Sequence, residues 1–152
     1  STEKKKTLEI NARKSFTITA EDGSKSYGIS AYGLKNSSIN TPELTIQIAN
    51  DLDGKNRYES IRLYNSDLTI TSAKTILDSD GGIALINSHL IFENATNNNQ
   101  TLDIKAKNQW GMNVSLNSNI LHDYTIHTHT HLGFFLKRLY MNITGICLDC
   151  TL

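Results

Sequence analysis

Proline, valine and tryptophan are almost missing from this chain, with one of each in 152 residues. There are two cysteines, Cys147 and Cys150, both close to the end. A single pair so placed constrains little of the fold, so a disulfide scaffold is excluded. No run of eighteen apolar residues exists, which excludes a transmembrane helix. Charge of one sign is also missing: 15 basic and 15 acidic side chains give a formal net charge of zero. A dedicated binder of nucleic acid or of an anionic membrane needs a basic field, so neither partner is expected. The one basic cluster, Lys4 to Lys6, reads as part of a solvated polar leader over residues 1–7. No signal peptide opens the chain, and Ser1 reads as a mature or excised boundary. Glycine motifs for nucleotides and the Gly-x-Ser-x-Gly nucleophile turn are absent as well.

What the chain has instead is 16 Asn, 16 Thr, 14 Ser, 17 Ile and 17 Leu. Ile and Thr favour strands, while Asn and Ser favour turns. Three phrases recur in a constant order. The first is a small residue followed by Ile-x-Ala or Ile-x-Leu, at Tyr27-Gly28-Ile29-Ser30-Ala31, Ser60-Ile61-Arg62-Leu63 and Gly82-Ile83-Ala84-Leu85, with a variant at Trp110-Gly111-Met112-Asn113-Val114. The second is Asn-Ser, at residues 36, 65, 87 and 117, with separations of 29, 22 and 30. The third is Leu-x-Ile or a close variant, starting at Phe16, Leu44, Leu68, Leu90 and Leu102.

Alternation within each phrase places Ile and Leu on one face and polar residues on the other. The minimal unit of 22 residues reads as two short strands joined by an Asn-Ser bend, and longer units carry loops at 49–59 and 94–100. Such a unit cannot close a core alone, but stacked copies can. The expected fold is therefore all-β, a parallel β-helix of about five to six rungs over residues 8–120. Asn at equivalent bends is expected to stack as an amide ladder. Asp-Gly and Gly-Gly at Asp22-Gly23, Asp53-Gly54 and Asp80-Gly81-Gly82 supply sharp turns. A sandwich of short strands is the alternative, but does not require the same phrases in the same order. Disorder is the other reading of a polar, Asn-rich chain, and the periodic Ile and Leu argue against it. Residues 121–152 lose the repeat and read as an irregular cap or a truncated continuation, with Phe134 to Met141 as a candidate lid.

The phrases Tyr27-Gly28-Ile29-Ser30-Ala31-Tyr32-Gly33-Leu34, Asn65-Ser66-Asp67-Leu68-Thr69-Ile70 and Gly81-Gly82-Ile83-Ala84-Leu85 resemble those of secreted bacterial right-handed parallel β-helix proteins, in particular carbohydrate-binding-domain-containing and adhesin-like repeats. The resemblance covers about Leu8 to Ile120. It implies a right-handed coil, a secreted or cell-surface setting, and contact with a polysaccharide or surface glycan. It also implies further repeats of the same chain as partners. It transfers no catalytic residue.

Three sets of residues carry candidate chemistry. Tyr27, Tyr32, Tyr58, Tyr64 and Trp110 form a candidate aromatic platform on which sugar rings stack, with Tyr27, Tyr32 and Trp110 the chosen ligand contacts. Ordinary cover over a thin core is the plainer reading of the same rings. His127, His129 and His131 alternate, so a strand would set them about 6.6–7 Å apart on one side. With Cys147 and Cys150 they would make a zinc set, although 15 residues separate the two parts. A solvated His/Thr strand face is the plainer reading here. Asp51 and Asp53 are the densest oxygen cluster and a candidate calcium loop, but Ala49 and Ser60 fill the first and last ligand positions. A plain Asp-Gly turn explains them as well. The sequence thus points to a non-catalytic extracellular module that binds glycan or acts as an adhesive spacer. The alternative is a fragment of a polysaccharide lyase or hydrolase with carboxylates aligned on one face.

Overall fold

A computed structural model describes residues 6–21, 26–48, 58–93, 101–106, 112–115, 119–122 and 126–130, the last three segments as strand backbone. Fourteen strands are present, and no helix occurs among the described residues. In chain order they are β1 (Glu9–Asn11), β2 (Ser15–Thr19), β3 (Ile29–Tyr32), β4 (Ser37–Asn40), β5 (Glu43–Gln47), β6 (Ile61–Tyr64) and β7 (Asp67–Thr71). There follow β8 (Lys74–Ser79), β9 (Ile83–Ile86), β10 (His89–Glu93), β11 (Thr101–Ala106), β12 (Met112–Ser115), β13 (Asn119–His122) and β14 (Ile126–Thr130). All pairings between them are parallel.

Each strand bonds to the strand three places along the chain. The first sheet runs β1-β4-β7-β10-β13, the second β2-β5-β8-β11-β14 and the third β3-β6-β9-β12. One pass of the chain thus visits three sheets, rather than the two strands that the recurring phrases suggest. The third strand was concealed by its sequence: β8 presents Thr75 and Leu77 inward where its neighbours β5 and β11 present Leu44/Ile46 and Leu102/Ile104. The Leu-x-Ile phrases also divide. Those at Leu68 and Leu90 lie in the first sheet, and those at Phe16, Leu44 and Leu102 in the second. A parallel strand packed on one side asks for the same alternation wherever it sits, so the phrase marks a strand without marking its sheet.

The inward residues form a single cluster. Ile39, Leu44, Ile46, Ile61, Leu63, Ile70, Leu77, Ile83, Leu85, Leu90, Phe92, Leu102 and Ile104 are all completely buried. Burying each such side chain contributes about 1.5–3 kcal/mol. On the first pass, Ile10, Phe16, Ile18 and Ile29 are only partly buried against this cluster.

Polar side chains at the three corners satisfy the backbone where the strands stop. Between the third sheet and the first, Asn36, Asn65 and Asn87 take positive φ values of 51°, 46° and 47°. Asparagine tolerates this left-handed region better than most residues. The serine after each donates to the carbonyl two residues before it: Ser37 to Lys35 at 3.4 Å, Ser66 to Tyr64 at 2.7 Å and Ser88 to Ile86 at 2.8 Å. Each serine Oγ also accepts an N–H from the previous pass, from Leu8, Leu34 and Ser66 respectively, all at 3.0 Å. The amide ladder is present between Asn87 and Asn65, whose Nδ2–H donates to Oδ1 at 2.7 Å. The stack then continues at Gly33 (φ 75°), not at Asn36, because Tyr32, Tyr64 and Ile86 are in register. Asn36-Ser37 repeats the same local turn three residues further on.

Between the first and second sheets, Thr41 and Ser72 donate to the carbonyls of Glu43 (3.1 Å) and Lys74 (2.8 Å). The one proline, Pro42, stands beside Thr41, and its carbonyl accepts from Ala73 and Lys74 N–H at 3.0 and 3.1 Å. Between the second and third sheets, buried Ser79 Oγ accepts from the N–H groups of Ser60 (3.1 Å) and Gly82 (2.9 Å). These bonds meet the requirement that buried backbone donors be paired.

Candidate ligand-binding face

The outward face of the third sheet is where the tyrosines gather. In β6, Ile61 and Leu63 point into the core, so Arg62 and Tyr64 point out. Tyr32 of β3 is the register partner of Tyr64 and is 58% exposed. Tyr27 and Tyr58 precede these strands. Tyr27 is fixed by Gly28, whose N–H donates to Glu59 O at 3.2 Å. A Cβ at residue 28 would lie 2.4 Å from Ile46 Cγ2 and 2.5 Å from Ser60 O, so only glycine allows this approach. The Tyr27 and Tyr58 rings meet edge to face, 5.3 Å between centroids at 66°, a favoured aromatic geometry.

Arg62 ties this group together. Its Nε–H donates to Tyr64 Oη at 2.9 Å, Nη2 donates to the same hydroxyl, and Nη1 donates to Tyr27 Oη. The guanidinium carbon lies 4.9 Å from the Tyr27 ring centroid and 5.1 Å from that of Tyr64. Both are cation–π distances. Burial alone lowers the Arg62 pKa, but the Tyr64 hydrogen bond and the fields of Tyr27, Glu59 and Tyr64 outweigh it, and the pKa is raised. The group therefore stays charged.

The neighbouring positions are small or apolar. Arg62 stands between Ser30 and Ala84, and Tyr64 between Tyr32 and Ile86. In the sequences of β3, β6, β9 and β12, Arg62 is the one charged residue. That isolation is visible in the primary structure, yet the recurring phrase drew attention to Ile and Leu and away from the residue between them.

Of the three chosen contacts, Tyr27 and Tyr32 lie on or beside this sheet, and Trp110 lies outside the described residues. Asp51, Asp53 and His131 also lie outside them, as do Cys147 and Cys150. His127 and His129 stand on β14 of the second sheet, in register with Asp103 and Lys105. Among the described residues, no group of three His, Cys, Asp or Glu side chains is close enough to hold a metal ion.

Among the described carboxylates, Asp78 and Asp103 share the outward face of the second sheet as diagonal neighbours on β8 and β11. Asp67 and Glu93 belong to the first sheet, Asp78 and Asp103 to the second, and Asp80 is buried at a corner. Within the described strands no carboxylate has another as its register partner. A depression of about 510 Å³ opens at the corner between the first and second sheets, lined by residues including Ala12, Arg13, Asn40, Pro42, Thr71 and Ala73. It holds no aromatic ring.

Comparison with protein-family models, with curated proteins and with solved structures finds no match for this chain.

Proposed function

We propose that this chain is a right-handed parallel β-helix module of about five to six rungs, and that it binds a polysaccharide or surface glycan without cleaving it. The aromatic face of the third sheet is the contact. The observation that carries this reading is the exposed Tyr32 ring beside Tyr64, with Tyr64 and Tyr27 held by Arg62 and Tyr58 set edge to face on Tyr27. Sugars present an apolar C–H face to such rings and hydroxyls to hydrogen-bonding groups at their edges, and binding sites combine these two features. The coil is supported by the regular i, i+3 pairing of strands and by the repeated Asn-Ser corners. A secreted or cell-surface setting follows from the resemblance in the recurring phrases, and further coils of the same protein are its expected neighbours.

The test is native electrophoresis through gels containing a panel of polysaccharides, stained afterwards for cleared zones. Retardation without clearing is expected for at least one glycan, and Tyr32→Ala is expected to abolish it. Retardation unchanged in Tyr32→Ala and in Tyr64→Ala sinks the assignment of this face. Clearing overturns the non-catalytic reading.

A further inference from the structure

The tyrosine face carries information about its ligand's charge. Arg62 is the sole charge in the sequence of the third sheet's strands, and it is half-buried among aromatic rings. A guanidinium has five N–H donors in a fixed fork. Among the described residues, three of them go to tyrosine hydroxyls, one from each nitrogen. One N–H on each terminal nitrogen is then left for a ligand. Donors on both terminal nitrogens of a guanidinium suit the oxygens of an oxyanion. The tyrosine bonds also hold the fork in place beforehand, which lowers the entropic cost of binding. Among the described carboxylates, Glu59, just before β6, is the one whose field acts on Arg62. It lies beside the sheet and not at one of the outward positions that flank Arg62, where the sequence places Ser30 and Ala84. Tyr32 is one strand across and two residues along from Arg62, about 8 Å in an ideal pleated sheet. A disaccharide spans that distance.

We infer that the glycan bound here is acidic, with a carboxylate or sulfate oxyanion on a sugar that pairs with Arg62 while a neighbouring sugar ring stacks on Tyr32. This inference rests on the proposed glycan binding and specifies the substrate class of the same site. To the field of Glu59 the oxyanion adds a charge in direct hydrogen-bond contact with the guanidinium, which neutral hydroxyls do not supply.

Calorimetric titration of the full chain with oligogalacturonate and with its fully methyl-esterified form separates charge from ring stacking, because the two share one backbone. Dextran sulfate and dextran form a second pair that reports on sulfate. Binding of one acidic member at least about tenfold tighter than its neutral counterpart is expected, as one charge-assisted pair is worth about that much. The pair that shows the preference identifies the oxyanion. Arg62→Gln is expected to remove the preference, so that acidic and neutral members of a pair bind alike, and Arg62→Lys to restore only part of it. Equal binding of acidic and neutral members overturns the inference and leaves the glycan reading standing. Binding of none of the four overturns both. The comparison between ligands needs no variant, so a failure of Arg62→Gln to fold does not affect it.

Discussion

Ile18 and Ile46 are register partners on adjacent strands of the same sheet, each flanked by threonine on its N-terminal side, yet their surroundings differ. Ile46 is completely buried, and Ile18 is half-buried. The same contrast separates Phe16 from Leu44 and Ile29 from Ile61. Ile46 has a described strand on either side, β2 and β8, whereas Ile18 has one on the β5 side only. Burial in this molecule is thus set by the neighbouring passes and not by a residue's own strand. Stability of the described region is expected to fall toward the first pass, whose strands have a described neighbour on one side only.

Cavity formation gives the largest test of that difference. Ile46→Ala is expected to destabilise by about 4 kcal/mol, while Ile18→Ala, whose side chain is already half in water, costs about 2 kcal/mol. Urea denaturation followed by circular dichroism reads both, and equal losses would break the comparison. Amide hydrogen exchange sharpens it at the level of strands: β2 is expected to exchange faster than β5 and β8.

The corners provide a smaller contrast. Ser66 Oγ donates to Tyr64 O and accepts from Leu34 N–H, and both bonds are lost in Ser66→Ala. A buried backbone N–H left unpaired costs about 1–3 kcal/mol. Ser37, at the start of β4, makes equivalent bonds, but its bond to Lys35 O is longer, at 3.4 Å, and the N–H it serves belongs to half-exposed Leu8 on the first pass. Ser37→Ala is expected to cost about half as much as Ser66→Ala in the same denaturation assay.

The smallest effect is expected on the surface. Lys35 Nζ lies 2.9 Å from Asp67 Oδ2, linking the turn before β4 to β7, the second and third strands of the first sheet, from outside. Both side chains are about 40% exposed. Exposed pairs of this kind contribute about 0–1 kcal/mol. Lys35→Met should shift the urea midpoint by less than Ser37→Ala does, and a larger shift would show that the charges help set the register.

Some of this was readable before any coordinates. Alternation at Leu44-Thr45-Ile46 or Leu68-Thr69-Ile70 gives a strand with one apolar face, and these leucines and isoleucines are in the core. Asn65-Ser66 and Asn87-Ser88 read as bends, and asparagine's tolerance of positive φ together with serine's short hydroxyl makes them so. The equivalence of Asn36 with Asn65 was not readable, because Gly33 takes that place in the stack. Nor was the strand β8, where Thr75 and Leu77 do the work of a Leu-x-Ile phrase. On or beside the outward face of the third sheet, ring type alone marks Tyr27 and Tyr32 as candidate contacts. Arg62 was missed, although its solitary charge among Ile, Leu and Tyr was a usable sign.

The sequence by itself determined many of the strands, which of their faces is apolar and where several bends fall, since these follow from preferences of residues within a few positions of one another. The tertiary structure alone decided that three sheets form, which strands lie side by side, and that Arg62 reaches Tyr27. Those outcomes depend on register between residues 22 to 35 positions apart. Many near-identical phrases leave that register open, and it becomes fixed only when corner serines, asparagines and glycines of successive passes find their partners together.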